Sequence, residues 1–495
     1  MSRPIALLSA ACLYILAFPN FNLSLLAWVA LIPLLYAIEN KTPRQAFFYG
    51  WISGTLAYCG LLFWLVVTFH AASLSFFLGL GCLLLLSGYL GLYWGAWAWG
   101  VASMNCKEGS KPFALAAFWV VLEYIRTYLF SGFPWALLAD SQVHHLPLLQ
   151  MASITGVYGI SFLIVWGNLA IAQTLKGSLK SLAPFALVLG IILMSGYRQL
   201  KISSEGDSHP FKIALLQGNI DQYKKWDEVY VAEIKQTYQT LSERASAGNA
   251  DLIVWPETSA PGYLMQDPPL RLWLTQLILK SHAAHIVGAP AEDGKKAFNA
   301  AFSISSIGLV QGMYAKKHLV PFGETVPFQA WLGAWIPVLN ALGGFDAGED
   351  SPVLSAAGIP VGVNICYEAI FPNLIRRSVQ RGGQLIANLT NDGWYMKTAE
   401  PYQHLAPNVF RAVENHRWLL RADNTGVSAI IDPQGRIVAA SSIYQAMIVS
   451  GTVYPQTVQT FYTRWGDVFA WACLAITLWA FCFSYRRVLA SSVNS

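Results

Sequence analysis

The sequence predicts a polytopic α-helical membrane domain joined to a layered α/β domain. Three observations lead there. Of 495 residues, 55% are hydrophobic and only 12% charged, with a mean hydropathy of +0.43; a soluble domain carries about 25% charged residues. The apolar excess sits in 1–200 and again in 467–485, while 201–466 has an ordinary globular composition. Within 201–466, strand-like and helix-like runs alternate between turn residues. The net charge of +5 is small and dispersed. No basic block interleaves with aromatics, so nucleic acid is not an expected partner.

A bilayer-crossing helix needs roughly 20 mostly apolar residues. Candidate spans lie near 5–20, 24–39, 46–68, 73–103, 112–130, 157–175, 181–197 and 467–485. Arg3 precedes the first apolar run, but Phe18-Pro19-Asn20-Phe21 offers no small-residue cleavage site, so an uncleaved helix is expected. Eight spans put both termini on one side. Arg3, Lys41, Arg44, Lys107, Lys111, Lys176, Lys180, Arg486 and Arg487 all fall there, and the short loops opposite hold no Lys or Arg. The positive-inside rule then makes the termini cytoplasmic. The expected organisation is a transmembrane bundle of about seven helices over 1–200, an extracytoplasmic domain over 201–460, and a closing helix with a cytoplasmic tail over 461–495. Glu123 and Arg126, three residues apart in the fifth span, read either as a mutual ion pair or as a functional group within the membrane.

The outer domain holds one of the seven cysteines, Cys366. A lone thiol there is either buried filler or a reactive group. It ends the strand-like run 359–366 and stands at the turn into the helix-like run 367–381. A helix N-terminus at that point would lower the thiol pKa and offer N–H groups to an oxyanion. Two other charged residues follow strand-like runs, Glu257 after Val254-Trp255-Pro256 and Lys316 after Tyr314-Ala315. Strand ends are where α/β folds build sites, although a surface carboxylate and a solvated lysine fit the same local pattern. Residues 328–345, with Trp331 and Trp335 one helical turn apart, read either as a lid that dips into lipid, hinged at Gly343-Gly344, or as a helix packed on the domain. No His pair has a partner at ligand spacing, so no metal is expected.

Trp255-Pro256-Glu257, the run Lys316 to Glu324 (Lys-Lys-His-Leu-Val-Pro-Phe-Gly-Glu) and Asn364-Ile365-Cys366-Tyr367-Glu368 resemble the nitrilase superfamily. More closely, with Gln217-Gly218-Asn219, Trp226, Asn391-Asp392-Gly393-Trp394, Arg421 to Gly426 and Asp432-Pro433-Gln434-Gly435, the chain resembles the apolipoprotein N-acyltransferases of bacterial membranes. Tyr395 stands where that pattern has Phe. The resemblance implies a four-layer α-β-β-α sandwich and a catalytic triad of Glu257 as base, Lys316 as oxyanion partner and Cys366 as nucleophile. It also implies supporting roles for Glu324, Tyr367 and Glu368, and acyl-chain walls at Trp226 and Trp394, which are equally ordinary core positions. The implied reaction moves an acyl group from a phospholipid, through a Cys thioester, to the N-terminal S-diacylglyceryl cysteine of an apolipoprotein. No cofactor is implied. The implied setting is the bacterial inner membrane, multi-pass, with a periplasmic catalytic domain and a monomer as the expected state. A membrane-tethered amidase with the same triad, or a transporter with an inert outer domain, are the competing readings; no internal repeat favours the latter.

Overall fold

The computed structural model describes residues 2–106, 109–205, 209–326, 344–349 and 352–493; the side chains of Trp226 and of 487–493 lie outside that description. The chain divides into two compact units. One comprises Met1–Ile202, Thr398–Ala406 and Trp465–Ser495; the other comprises Ser203–Lys397 and Pro407–Arg464.

The helical unit contains α1 (Arg3–Ala17), α2 (Ile32–Ala37), α3 (Pro43–Leu61), α4 (Trp64–Ala71), α5 (Phe76–Ser103), α6 (Lys111–Tyr128), α7 (Val157–Leu175) and α8 (Leu182–Gln199). Thr42 starts α3 with a capping box, its hydroxyl accepting from the Gln45 N–H and the Gln45 side chain accepting from the Thr42 N–H. Four helices in the described residues are long and apolar enough to cross a membrane: α5, α7, α8 and Val468–Arg486. The pair α3 and α4 qualifies as a fifth span, bent by 47°. The remaining candidates take other forms. The first makes a helix of 15 residues. The segment 24–39 breaks into a 3-10 turn, Ser24–Trp28, and the six-residue α2, with Pro33 near the start of the latter. Helix α6 has 18 residues and carries Lys111, Glu123 and Arg126.

Small residues set the helix spacing. A Cβ at Gly54 would come within 2.7 Å of the Trp94 side chain, so α3 and α5 touch at a glycine. The sequence allowed an ion pair between Glu123 and Arg126. The structure overturns it. Glu123 Oε1 accepts from Trp119 Nε1 at 3.0 Å and from the Leu138 N–H at 2.9 Å, and Arg126 Nη1 donates to the Tyr58 hydroxyl. The two residues share a helix face, but each is turned to a partner from a different segment.

The α/β unit holds two six-stranded sheets. The first is built from β1 (Phe211–Gln217), β2 (Leu252–Val254), β3 (Ala284–Asp293), β4 (Lys296–Ile304), β5 (Val310–Ala315) and the late strand β12 (Met447–Val453), in the order β12-β1-β2-β3-β4-β5. The second holds β6 (Val353–Ala356), β7 (Ile359–Ile365), β8 (Leu385–Thr390), β9 (Leu419–Asp423), β10 (Ala429–Ile431) and β11 (Ile437–Ala440), in the order β11-β10-β9-β8-β7-β6. Each has a parallel centre, β1-β2-β3 and β7-β8-β9, with antiparallel edges. Parallel strands covered on both faces read as unbroken apolar runs, and every residue of β8 is buried. Helices α9 (Val231–Ala247) and α10 (Pro268–Ser281) cover the first sheet through Tyr238, Leu241, Leu274 and Ile278. Helix α11 (Pro372–Gln380) covers the second. The sheets meet face to face, β1 against β9 and β4 against β6. The result is the four-layer α-β-β-α sandwich. Between β10 and β11, Asp432 Oδ1 accepts from the Gln434 and Arg436 N–H groups, and Gly435 takes a φ of 84°, so the Asp-Pro-Gln-Gly run is a turn.

Candidate active site

The chemistry-bearing side chains stand where strands end. Strand β2 stops at Val254 because Pro256 cannot donate to a ladder. The chain then turns through Glu257 and Thr258, the latter at a φ of 43°. Strand β3 braces this turn: the Ser259 and Ala260 N–H groups donate to the Gly288 carbonyl at 2.8 and 3.0 Å. Position 288 must be glycine for the approach. A Cβ there would lie 2.2 Å from the Pro256 oxygen and 2.9 Å from the Glu257 Cα.

Lys316 follows β5, and its N–H donates to the Asn299 carbonyl of β4 at 2.8 Å. Its ammonium is 1% exposed and reaches Glu257 Oε1 at 3.1 Å and Glu324 Oε2 at 2.8 Å. Asn299 Nδ2 donates to both carboxylates, at 2.6 Å to Glu257 and 2.8 Å to Glu324. Glu324 also accepts from the Val320 N–H at 2.9 Å. Burial alone would pull the Lys316 pKa down, but the two carboxylates hold it well above its ordinary value. Burial pushes Glu324 upward, and Lys316 with the Val320 and Asn299 donors brings it below the usual carboxylate value. Lys316 is therefore a fixed ammonium at neutral pH.

Cys366 follows β7 directly. Its φ is 52°, a left-handed conformation that few non-glycine residues adopt, and it lifts the thiol out of the strand line. The expected long helix after it does not form. A 3-10 turn covers Cys366–Ile370, and Pro372 ends it because the residue before proline avoids helical dihedrals. One turn of 3-10 backbone supplies little dipole. The expectation of a lowered thiol pKa is accordingly overturned. Burial and Glu257 push the Cys366 thiol well above its ordinary value, against a downward pull from Lys316 and the Thr390 hydroxyl. At neutral pH the sulfur carries its proton.

Glu368 joins the lysine loop to the cysteine turn. Its carboxylate is fully buried and accepts from the Ile365 N–H at 2.6 Å, the Lys317 N–H at 2.7 Å and the His318 N–H at 3.1 Å. The Tyr314 hydroxyl lies 2.8 Å from both oxygens. Burial raises its pKa, and the backbone donors and Lys316 oppose that. The backbone beside Lys316 and the backbone beside Cys366 thus hang from one side chain. Tyr367 is buried, its ring 5.3 Å from Phe371 and 5.8 Å from His318.

Beneath the thiol, Asn388 Nδ2 donates to the Cys366 carbonyl at 3.3 Å and to Asn364 Oδ1 at 2.7 Å. Arg421 donates to Asn388 at 2.8 Å and pairs with Asp392 at 2.7 Å and Asp423 at 3.1 Å. Burial and the neighbouring Asp392 raise Asp423 to about 7. A Cβ on Gly426 would lie 2.4 Å from Asp423 Oδ2, so the turn after β9 closes over these acids only with glycine.

Asn424 holds the loop after β1, accepting from the Ile220 N–H at 2.9 Å and donating to the Ile220 carbonyl at 2.7 Å. Asn391 is bonded to Gln222 in the same loop. That loop carries Lys225, which sequence reasoning missed. It is buried, and its ammonium donates to the Glu257 carbonyl at 2.7 Å. Burial lowers its pKa to about 8, against the pull of Glu257, Asp423 and Cys366. Asn299 was missed as well. Neither has a local signal: Asn299 sits inside a strand, and Lys225 adjoins Lys224, a surface ion-pair residue. Trp226 ends a 3-10 turn, Lys224–Trp226, with its side chain outside the description. Trp394 is half-exposed on the turn Asp392–Tyr395. Trp331 and Trp335 lie outside the described residues.

Residues 10–170 match the family model described as the apolipoprotein N-acyltransferase N-terminal domain, and residues 212–462 match that of carbon-nitrogen hydrolases. An apolipoprotein N-acyltransferase of Geobacter metallireducens is 39% identical over 95% of this chain and 93% of its own length. That of Pseudomonas putida is 31% identical over 96% and 95%, and that of Methylococcus capsulatus 31% identical over 99% and 98%. Among solved structures, an amidase from Nesterenkonia sp. is similar with a TM-score of 0.40 and 23% identity, covering 50% of this chain and 92% of the amidase. With a nitrilase-type sandwich, a helical N-terminal region and full-length relatives above 30% identity, the chain belongs to the apolipoprotein N-acyltransferase family and is an acyltransferase.

Proposed function

We propose that the chain catalyses the last step of lipoprotein maturation, moving an acyl group from a phospholipid to the α-amine of an S-diacylglyceryl cysteine through a thioester on Cys366. The observation that carries the reading is a buried carboxylate and a buried ammonium, Glu257 and Lys316, in contact with each other and within electrostatic reach of one thiol. In the first half, the sulfur bonds to the ester carbonyl carbon while its proton passes to Glu257. A protonated thiol at rest makes that base necessary. Lys316 faces the tetrahedral oxyanion; it is already charged and held by two carboxylates, so little reorganisation accompanies the transition state. The C–O bond then breaks, and Glu257 returns the proton to the departing lysophospholipid oxygen. In the second half the acceptor amine bonds to the thioester carbon and gives its proton to Glu257. The C–S bond breaks and Glu257 passes that proton to the departing sulfur, which restores both groups. One ester and one amine become one amide and one alcohol, with no redox change.

Glu324 and Asn299 position Lys316 and Glu257, and Glu368 positions Lys316 relative to Cys366. Trp394, half-exposed on its turn, is proposed as a wall for an acyl chain. If all eight candidate segments cross, the basic residues of the short connecting segments gather on one side, and this supports the proposal of cytoplasmic termini and a periplasmic catalytic unit in a multi-pass protein of the inner membrane. The proposed working state is a monomer. The test is intact-mass analysis after exposure to phospholipid. The expected result is an acyl adduct on Cys366 that hydroxylamine removes and that is missing from Cys366→Ala. Release of free fatty acid with no adduct and no transfer to a diacylated peptide would instead support an amidase-like hydrolase.

A further inference from the structure

The helical unit contains a second group of buried charges, apart from the proposed chemistry and independent of it. Tyr58, Tyr93, Trp94, Trp119, Glu123 and Arg126 line a small cavity between α3, α5 and α6. Four buried polar atoms of these lining residues have no hydrogen-bond partner among the described residues: Glu123 Oε2, Arg126 Nε, Arg126 Nη2 and Trp94 Nε1. Glu123 is 5% exposed, Arg126 2% and Trp94 1%. Buried polar groups are almost always satisfied, and an orphan costs more than a hydrogen bond is worth. Four orphans on one cavity wall mark a place where something else supplies the partners.

Size and charge decide what it is. The cavity measures about 10 Å³ to a water-sized sphere, and one water needs roughly 10–15 Å³ on that measure. A phosphate or a lipid headgroup is far too large. A halide would face the Glu123 carboxylate and a metal cation would face the Arg126 guanidinium, each repelled by one wall. A neutral molecule that both donates and accepts satisfies both walls.

We propose that this cavity is a binding site for one ordered water, which links Glu123 and Arg126 as a water-bridged pair. The water donates to Glu123 Oε2 and accepts from Arg126 and Trp94. The remaining Glu123 oxygen holds Trp119 Nε1 and the Leu138 N–H. Arg126 keeps the Tyr58 hydroxyl, with its guanidinium carbon 5.5 Å from the Tyr58 ring centre. The bridge therefore ties α3, α5, α6 and the 137–142 segment at one point.

The test is a structure of the full chain in lipid nanodiscs, at a resolution that shows ordered water. The expected result is a single peak within hydrogen-bond reach of a Glu123 oxygen and an Arg126 nitrogen. A direct Glu123–Arg126 contact, or an acyl chain in the cavity, overturns the proposal. Thermal midpoints of Glu123→Gln, Arg126→Gln and the double variant give a second reading. The bridge predicts that the double variant loses clearly less than the two single losses combined, and additive losses count against it. If the variants do not fold, the density alone decides.

Discussion

Two clusters of buried charge, one in each unit, are satisfied in different ways. In the α/β unit each buried charge at the site is met by protein. Lys316 has two carboxylates, Arg421 has two aspartates, and Glu368 collects three backbone donors and a hydroxyl. In the helical unit Glu123 and Arg126 keep atoms that no group among the described residues satisfies. The difference teaches where positional accuracy is needed. Donors locked by strands keep a catalytic group within a fraction of an ångström, whereas a pair that serves packing tolerates a mobile mediator.

The sharpest way to break this comparison is Lys316→Met. It leaves Glu257 and Glu324 buried side by side without their cation, and breaking such an arrangement costs about 3–5 kcal/mol. The expected outcome is a large fall in thermal midpoint together with loss of the acyl adduct. A folded variant of unchanged midpoint would show that Lys316 is not paired as described.

Lys225 tests the same unit through pH. Its folded pKa, about 8, lies below its ordinary 10.5. The unfolded chain therefore binds more protons between those values, and stability rises as pH climbs from 8 towards 10.5. The shift corresponds to roughly 3 kcal/mol at most. Lys225→Met should flatten that part of the midpoint-against-pH curve. An identical slope in both proteins would rule the assignment out.

Gly288→Ala probes the bracing of Glu257. The added methyl meets the Pro256 oxygen, and such overpacking typically costs about 1–3 kcal/mol. Displacement of Glu257 should lower the rate of adduct formation by more than the stability loss explains. Equal rates for folded Gly288→Ala and the parent would argue that the turn absorbs the methyl elsewhere.

The smallest effect is expected in the helical unit. Tyr58→Phe removes one acceptor from the charged Arg126, a bond worth about 1.5–3 kcal/mol when nothing replaces it, and with a mediator at hand the loss should fall below that. A loss comparable to that of Lys316→Met would erase the contrast between the units.

Much of this was legible in the sequence, and for local reasons. The division into an apolar and a globular part is a matter of composition. The sandwich strands announce themselves as apolar runs bounded by Pro, Gly and Asp. Glu257, Lys316 and Cys366 each stand at the end of a strand-like run, but it is the resemblance of their surrounding motifs to the nitrilase superfamily that singles them out. Even so, the boundaries misled at two places. The run 24–39 is apolar enough for a span but breaks between Trp28 and Ile32, just ahead of Pro33, and 367–381 reads as one helix though Pro372 divides it.

What the chain alone determined is which side chains stand at strand ends and which segments are apolar, because periodicity and punctuation are local. What only the tertiary structure decided is which charges meet and in what protonation state. Glu257 and Lys316 are 59 residues apart, and Lys225 finds the Glu257 carbonyl across 32. The thiol of Cys366 is held neutral by burial and a distant carboxylate, although its own neighbourhood in sequence suggested the reverse. Burial and long-range pairing are properties of the packed chain, and no window of residues contains them.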